Sequence, residues 1–460
     1  LLRSKKGGSW TVPGPTAATV VTVSGIGTLG AHNSQAGSVQ ANGSAATKNL
    51  LVRLPGETLD SESATGKTGV PIEQEAGSTF TATVFAADQL FNAYEPGQLQ
   101  QPSVGVEANS AYAQTGTTGT LALGSTTYPL WLPVASTTTQ ITAKTQTASF
   151  VQNSTRVAVS PARQLSGAWR LQLLIPNMLP DPGSLTGFRN SVPAMTVGAT
   201  ATVRINLVDA FYNTVYGTTT WIGAVSFPNV RLDFSDVNMA ARGLVPPSLS
   251  LFEGTRLFSF IPATRTGGVL PAQTISAVDN AAVYSSYTVY NLAVNPGAAT
   301  RMQLMLPNEV AAEGSPSGKT GTVRLFRAGD GYLATLRATD DYWNVVNDVR
   351  SVGLEVSDVY ASTPVPISLT AGEQALSFSP RTSTAAVLMS VSAVDVDSIL
   401  PKLATFTISG LSVDPANYVK LVALIPGEAY TPGKPTYDTG TVGGRTVLQS
   451  TTVPAGTPFT

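Results

Sequence analysis

Cysteine is absent from all 460 residues, which excludes disulfide staples, thiolate metal sites and a cysteine nucleophile. Histidine occurs once, at His32 in the Gly/Ser/Asn-rich stretch AHNSQAG, so one chain cannot assemble a histidine triad or a multi-histidine metal site. Charge is scarce. Only 12% of residues carry one and the formal net charge is -1, which removes the electrostatic attraction that nucleic acid or an anionic membrane requires. No apolar run approaches the roughly 18 residues that cross a bilayer. The sequence opens Leu1-Leu2-Arg3 with no signal segment, as a mature form or a fragment of something longer does. The expectation is a chain with no nucleic-acid partner, no membrane span in this segment and no catalytic residues.

What is abundant is small and β-favouring. Hydrophobic residues make up 42%, with Ala and Val prominent alongside Thr, Ser and Gly, and 42 Gly and 31 Pro fall between short apolar stretches as turn residues do. At this length there is room for roughly three domains.

A long repeat organises the chain. Four segments read alike: KNLLVRLPGET at 48–58, WRLQLLIPNML at 169–179, TRMQLMLPNEV at 300–310 and VKLVALIPGEA at 419–429, with pivot prolines Pro55, Pro176, Pro307 and Pro426. After each of the first three pivots come a glycine in GKTG or a relative of it (Gly66, Gly187, Gly318) and a second glycine (Gly77, Gly198, Gly329). An alternating strand then ends in Asp-x-x-x-Asn: Asp88/Asn92, Asp209/Asn213 and Asp340/Asn344. Every landmark advances by 121 residues and then by 131. Small-residue and proline joints precede the pivots: NGSAA at 42–46, VSPAR at 159–163, VNPGA at 294–298 and VDPAN at 413–417.

The boundaries follow from those joints. Residues 1–43 read as an N-terminal strand and linker, the end of a preceding repeat; 44–160, 161–295 and 296–414 are repeats 1, 2 and 3; and 415–460 begins an incomplete fourth. The strand before each Asp-x-x-x-Asn has period two, placing Ala82/Val84/Ala86, Val203/Ile205/Leu207 and Ala334/Leu336/Ala338 inward. Thr83, Phe85, Thr202, Arg204, Asn206, Thr335 and Arg337 then face solvent. About seven short strands per repeat predict an all-β chain of tandem immunoglobulin-like β-sandwich domains. Laid end to end they form a rod exceeding about 100 Å.

FAADQLFNAYEP, NLVDAFYNTVYG and RATDDYWNVVND resemble the strand-end motif of bacterial immunoglobulin-like repeats of the invasin and intimin type, V-x-D-x-x-G-N-x-V. The resemblance implies a surface-exposed spacer or adhesin stalk. Where that family has Gly before the Asn, this chain has Phe91, Tyr212 and Trp343. The departure implies a packed aromatic cap in place of a positive-φ glycine turn, with the Asp receiving backbone N–H groups and the Asn closing the turn.

The six motif residues recur once per repeat, as a structural cap does. Calcium is the alternative reading, since carboxylate and amide oxygens near domain junctions can rigidify tandem sandwiches, with Asp279/Asn280 or Asp395/Asp397 contributing. No cofactor is otherwise implied. GKTG lacks the full phosphate-loop spacing and reads as a turn. Trp10, Tyr128, Trp131 and Trp221 are candidates for a carbohydrate platform, and NGS at Asn42 and NST at Asn153 for glycan acceptors.

The function these features point to is an extracellular structural protein of a bacterial cell surface, a filament, surface-layer or stalk subunit, polymerising through domain ends or faces. The alternative is an adhesin stalk or glycan-binding module. A strand-like segment around 21–25 and the incomplete fourth repeat can complete one another between neighbouring chains; the simpler reading is a fragment of a longer array.

Overall fold

A computed structural model describes residues 48–60, 63–88, 91–92, 102–116, 118–145, 150–163, 169–217, 225–384, 388–425, 427–436, 443–446 and 456, and the backbone of four short strands before residue 48. The described chain is all-β, and its one helix is the five-residue turn Val237–Ala241. No helix is long and apolar enough to cross a membrane among these residues.

Alternation builds the central strand of each sandwich. In Thr79–Asp88, Ala82, Val84 and Ala86 are fully buried while Thr79 and Thr81 face out. The same holds for Val203, Ile205 and Leu207 in Ala201–Val208, and for Ala334, Leu336 and Ala338 in Tyr332–Thr339. Each central strand pairs antiparallel with its pivot strand, in register Lys48↔Asp88, Arg170↔Val208 and Arg301↔Thr339. A third strand closes the other edge: Ser125–Trp131, Thr255–Phe260 and Glu373–Phe378. The pairing brings the Asp to the start of the pivot strand, at the end nearest the preceding joint.

A second sheet covers each first one. In repeat 2 its order is Leu249–Ser250, Asn229–Phe234, Gln273–Asp279, Tyr287–Leu292, and in repeat 3 Ile367–Ser368, Ser351–Val356, Met389–Asp395, Phe406–Leu411. Repeat 1 has five strands there: Gly119–Thr120, Ser103–Ala108, Ser136–Thr145, Asn153–Ser160 and Gln74–Glu75. Three separate apolar cores result, around Val84 and Ile141, around Ile205 and Phe258, and around Leu336 and Phe378. Each buried Leu, Ile, Val or Phe contributes about 1.5 to 3 kcal/mol relative to exposure. The last strand of each repeat is clipped in parallel to the segment before the second glycine, as Ser160↔Glu75, Asn295↔Thr196 and Asp414↔Arg327, and runs directly into the joint proline.

Two outward assignments need correction. Asn206 and Arg337 are buried, because the hairpin carrying the first glycine folds over the outer face of the pivot strand. Gln172 and Gln303 on that face donate to the Gly187 and Gly318 carbonyls at 2.9 and 2.8 Å. Asn206 donates to Gln172 Oε1, and Arg337 reaches Glu313 at 2.8 Å. Period two places a side chain on a face without saying what covers it.

The opening of the fourth repeat behaves differently. Residues 416–425 form no strand, and Val419 and Leu421 are exposed where Leu171, Leu173, Met302 and Leu304 are fully buried. Among the described residues no central strand lies against this segment to bury it. Pro426, His32 and Asn42 lie outside the described residues.

Candidate functional site

In repeat 2 the motif is a closed turn. Asp209 Oδ1 accepts from the backbone N–H of Phe211 and Asn213 at 2.8 and 2.9 Å, and Asn213 Nδ2 donates to Oδ2 at 2.9 Å. The Asp209 N–H donates to the Asn213 carbonyl at 3.0 Å, and the Tyr212 N–H to the Asp209 carbonyl at 3.1 Å. The same backbone pair closes Asp88/Asn92 and Asp340/Asn344. The sequence expectation of an Asp that receives N–H groups and an Asn that closes the turn matches this geometry.

The expectation that the tight turn is replaced does not. Phe91, Tyr212 and Trp343 adopt φ of 64°, 64° and 67°, the left-handed conformation that glycine would supply. A side chain there costs roughly 1 to 2 kcal/mol. The ring offsets that cost by lying on the first glycine of its own repeat. A Cβ built on Gly66, Gly187 or Gly318 would sit 2.5, 2.2 or 2.4 Å from the ring of Phe91, Tyr212 or Trp343. Arg170 covers the Tyr212 ring and Arg301 the Trp343 ring, with centroid distances of 4.3 and 4.7 Å.

The neighbouring aromatic crosses to the preceding repeat. Phe211 packs on Gly77, where a Cβ would meet the ring at 2.1 Å, and stands edge-on to Trp131 at 5.6 Å between centroids. Tyr342 packs likewise on Gly198, at 3.1 Å from a built Cβ, and Arg242 lies over its ring at 4.7 Å. All the spaced landmarks thus meet at one place. The first glycine seats an aromatic of its own repeat, and the second seats one from the next.

Polar contacts complete each joint. Asn213 Nδ2 donates to the Pro133 carbonyl at 2.8 Å and its Oδ1 accepts from the Ala135 N–H at 2.7 Å. Asn344 grips the Ala263 carbonyl and the Arg265 N–H in the same way, at 2.9 and 3.0 Å. The linker is held by the Asp, since Ala162 N–H donates to Asp209 Oδ2 at 2.7 Å and Gly297 N–H to Asp340 Oδ2 at 2.9 Å. The gripped loop of repeat 2 is braced from within by Asp236, which accepts from the N–H and hydroxyl of Thr264 at 2.9 and 2.8 Å.

The two joints differ in their surroundings. Between repeats 1 and 2 Tyr112 donates to Asp181 at 2.7 Å. Between repeats 2 and 3 Glu313 bridges Arg265 and Arg337 at 2.5 and 2.8 Å, and Arg242 donates to the Gly314 and Ser315 carbonyls.

No family model matches this chain, and no curated protein does. Among solved structures it is similar to the Escherichia coli adhesin FdeC, at 13% identity and a TM-score of 0.30, covering 82% of this chain and 99% of that one. It is also similar to part of a 1.5-MDa bacterial ice-binding adhesin, at 12% identity and TM-score 0.16, covering 82% of this chain and all of that one. A third is domains 5-6 of the S-layer protein SbsC, at 14% identity and TM-score 0.15, covering 49% and 94%.

The geometry bears on the remaining candidates. Among the described residues no three His, Cys, Asp or Glu side chains come together. Asp279 accepts from the N–H groups of Ala281, Val283 and Tyr284, Asp395 from Arg350 and the Leu403 N–H, and Asp397 from the Ser351 N–H. Oxygens directed at hydrogens in this way have little left to offer a cation. Burial pushes the Asp209 carboxyl above the ordinary carboxylate range, against the pull of the Asn213 side chain and the N–H groups of Ala162, Asn213 and Phe211. Tyr128 is buried with its hydroxyl donating to the Val104 carbonyl at 2.6 Å, and Trp131 is half-buried at the joint, so neither forms an open sugar platform. The side chains of Trp10 and Trp221 lie outside the described residues. Asn153 sits in the strand Asn153–Ser160, accepting from the Val52 N–H at 3.2 Å.

Proposed function

We propose that this chain is a load-bearing segment of an extracellular bacterial surface protein, a filament, surface-layer or stalk element, in which the Asp-x-x-x-Asn turns fasten successive sandwiches into a rod. The units are the repeats at 44–160, 161–295 and 296–414. The observation that carries this reading is the recurrence of one joint, with Asn213 and Asn344 gripping the preceding repeat, Asp209 and Asp340 gripping the linker, and Phe211 and Tyr342 seated on Gly77 and Gly198. A catalytic or ligand-binding feature has no reason to recur in this way, while a fastening does.

Electron microscopy of the purified chain tests the reading. Straight particles of uniform length, which bend at one joint when Asn213→Ala is introduced, are expected. Particles already bent at random in the unaltered chain would overturn it.

A further inference from the structure

Repeat 1 carries a joint with nothing in its grip. Asn92 is 3% exposed, its turn is closed by Asp88 as in the other repeats, and Phe91 lies on Gly66. Yet its Oδ1 has no hydrogen-bond partner, where Asn213 Oδ1 accepts from Ala135 and Asn344 Oδ1 from Arg265. A buried amide oxygen without a donor is costly and uncommon, so its usual partner is to be sought elsewhere.

Repeat 3 carries the opposite half. Asp358 accepts from the N–H and hydroxyl of Thr382 at 2.8 and 2.7 Å, so the loop 381–383 is braced as Asp236 braces the loop gripped by Asn344. A Cβ built on Gly329, at φ 90°, meets nothing within 4 Å, in contrast to the filled sockets at Gly77 and Gly198. Beside it lies a cavity of about 380 Å³ lined by Ala328, Arg381, Ser383, Tyr418 and Val419.

We infer that these halves belong together, and that the repeat 1 end of one chain docks into the repeat 3 end of a second copy. The Asn92 amide then meets the Arg381 carbonyl and Ser383 N–H, with the sequence placing Leu90 where Phe211 and Tyr342 stand in the other joints. Such a contact is heterologous and does not close on itself, so it propagates as a fibre. Gly433 now packs on Thr382 as Gly314 does on Thr264, so the incoming end displaces residues 432–434. A chain ending at Asp414, which keeps all three cores, therefore assembles more readily. The inference rests on reading the turns as joints.

The absence of cysteine makes the test direct. Asn92→Cys and Ser383→Cys chains, mixed and oxidised, should give a disulfide-linked dimer well above either chain alone, and the double variant a ladder. Ala135→Cys with Asn213→Cys within one chain is the control for the joint reading. An internal crosslink without the intermolecular one overturns the inference and leaves the joints intact; loss of the internal crosslink overturns both. In sedimentation velocity, Asn92→Ala should weaken self-association at least tenfold. Ser383→Pro, in a different repeat, should do the same, which separates lost docking from a misfolded repeat 1. A chain that stays monomeric at every concentration overturns the proposal and places the partner of Asn92 within its own polypeptide.

Discussion

Asn213 belongs to repeat 2 and spends both ends of its amide on repeat 1, donating to the Pro133 carbonyl and accepting from the Ala135 N–H. Replacing it with alanine leaves two backbone groups unmatched, at a cost of about 1 to 3 kcal/mol each. Asn213→Ala should lower the stability of repeats 1 and 2 and make their unfolding separable. Calorimetry checks it: two resolved transitions are expected where the unaltered pair melts as one.

Gly187 and Tyr212 form a second dependency. Gly187→Ala drives a methyl into the Tyr212 ring at a residue with φ 77° and should destabilise repeat 2 by at least about 2 kcal/mol. Tyr212→Gly relieves its own left-handed strain but loses the ring. Because the two share one contact, the double variant should cost less than the sum of the singles, as a denaturant-unfolding cycle would measure.

Acid should act unevenly. In repeat 3, burial pushes Asp358 and Asp395 up, but the Arg381 and Thr382 N–H groups outweigh it at Asp358, and the Leu403 N–H and Arg350 do so at Asp395, leaving both below the ordinary carboxylate range. A carboxylate depressed on folding stabilises above its unfolded value, near pH 4, and that contribution fades as pH falls through the folded value. Asp209 in repeat 2 is shifted the other way, so the folded form holds its proton more tightly and acidification favours folding at that site. Hydrogen exchange below about pH 4 should show repeat 3 opening before repeat 2.

Calcium should be a bystander. With the Asp209, Asp279 and Asp395 oxygens accepting from N–H groups, neither millimolar calcium nor a chelator is expected to move the melting temperature. A rise of several degrees with calcium would identify a cation site at the joints.

The sandwich could be read from the alternation of Ala82, Val84 and Ala86 because a half-covered strand must alternate, whatever the details. The spacing of the landmarks likewise marked the residues of the joint. Their purpose was hidden, since Asn213 and Pro133 are 80 residues apart and no period in a sequence records which repeat a side chain reaches into. Asn206 and Arg337 misled for a related reason: the cover over them comes from a hairpin, outside the strand whose alternation was being read. The aromatics at 91, 212 and 343 were a misread turn. A bulky residue was taken to exclude positive φ, when a glycine opposite made room for it.

The sockets at Gly77 and Gly198 and the rings that fill them sit at opposite ends of each unit, one facing forward and one back. Duplicating or deleting a whole unit therefore creates no new kind of contact, only another instance of an old one. Reach becomes a matter of copy number, adjustable by recombination in whole steps, while an insertion of part of a unit would leave a ring without a seat.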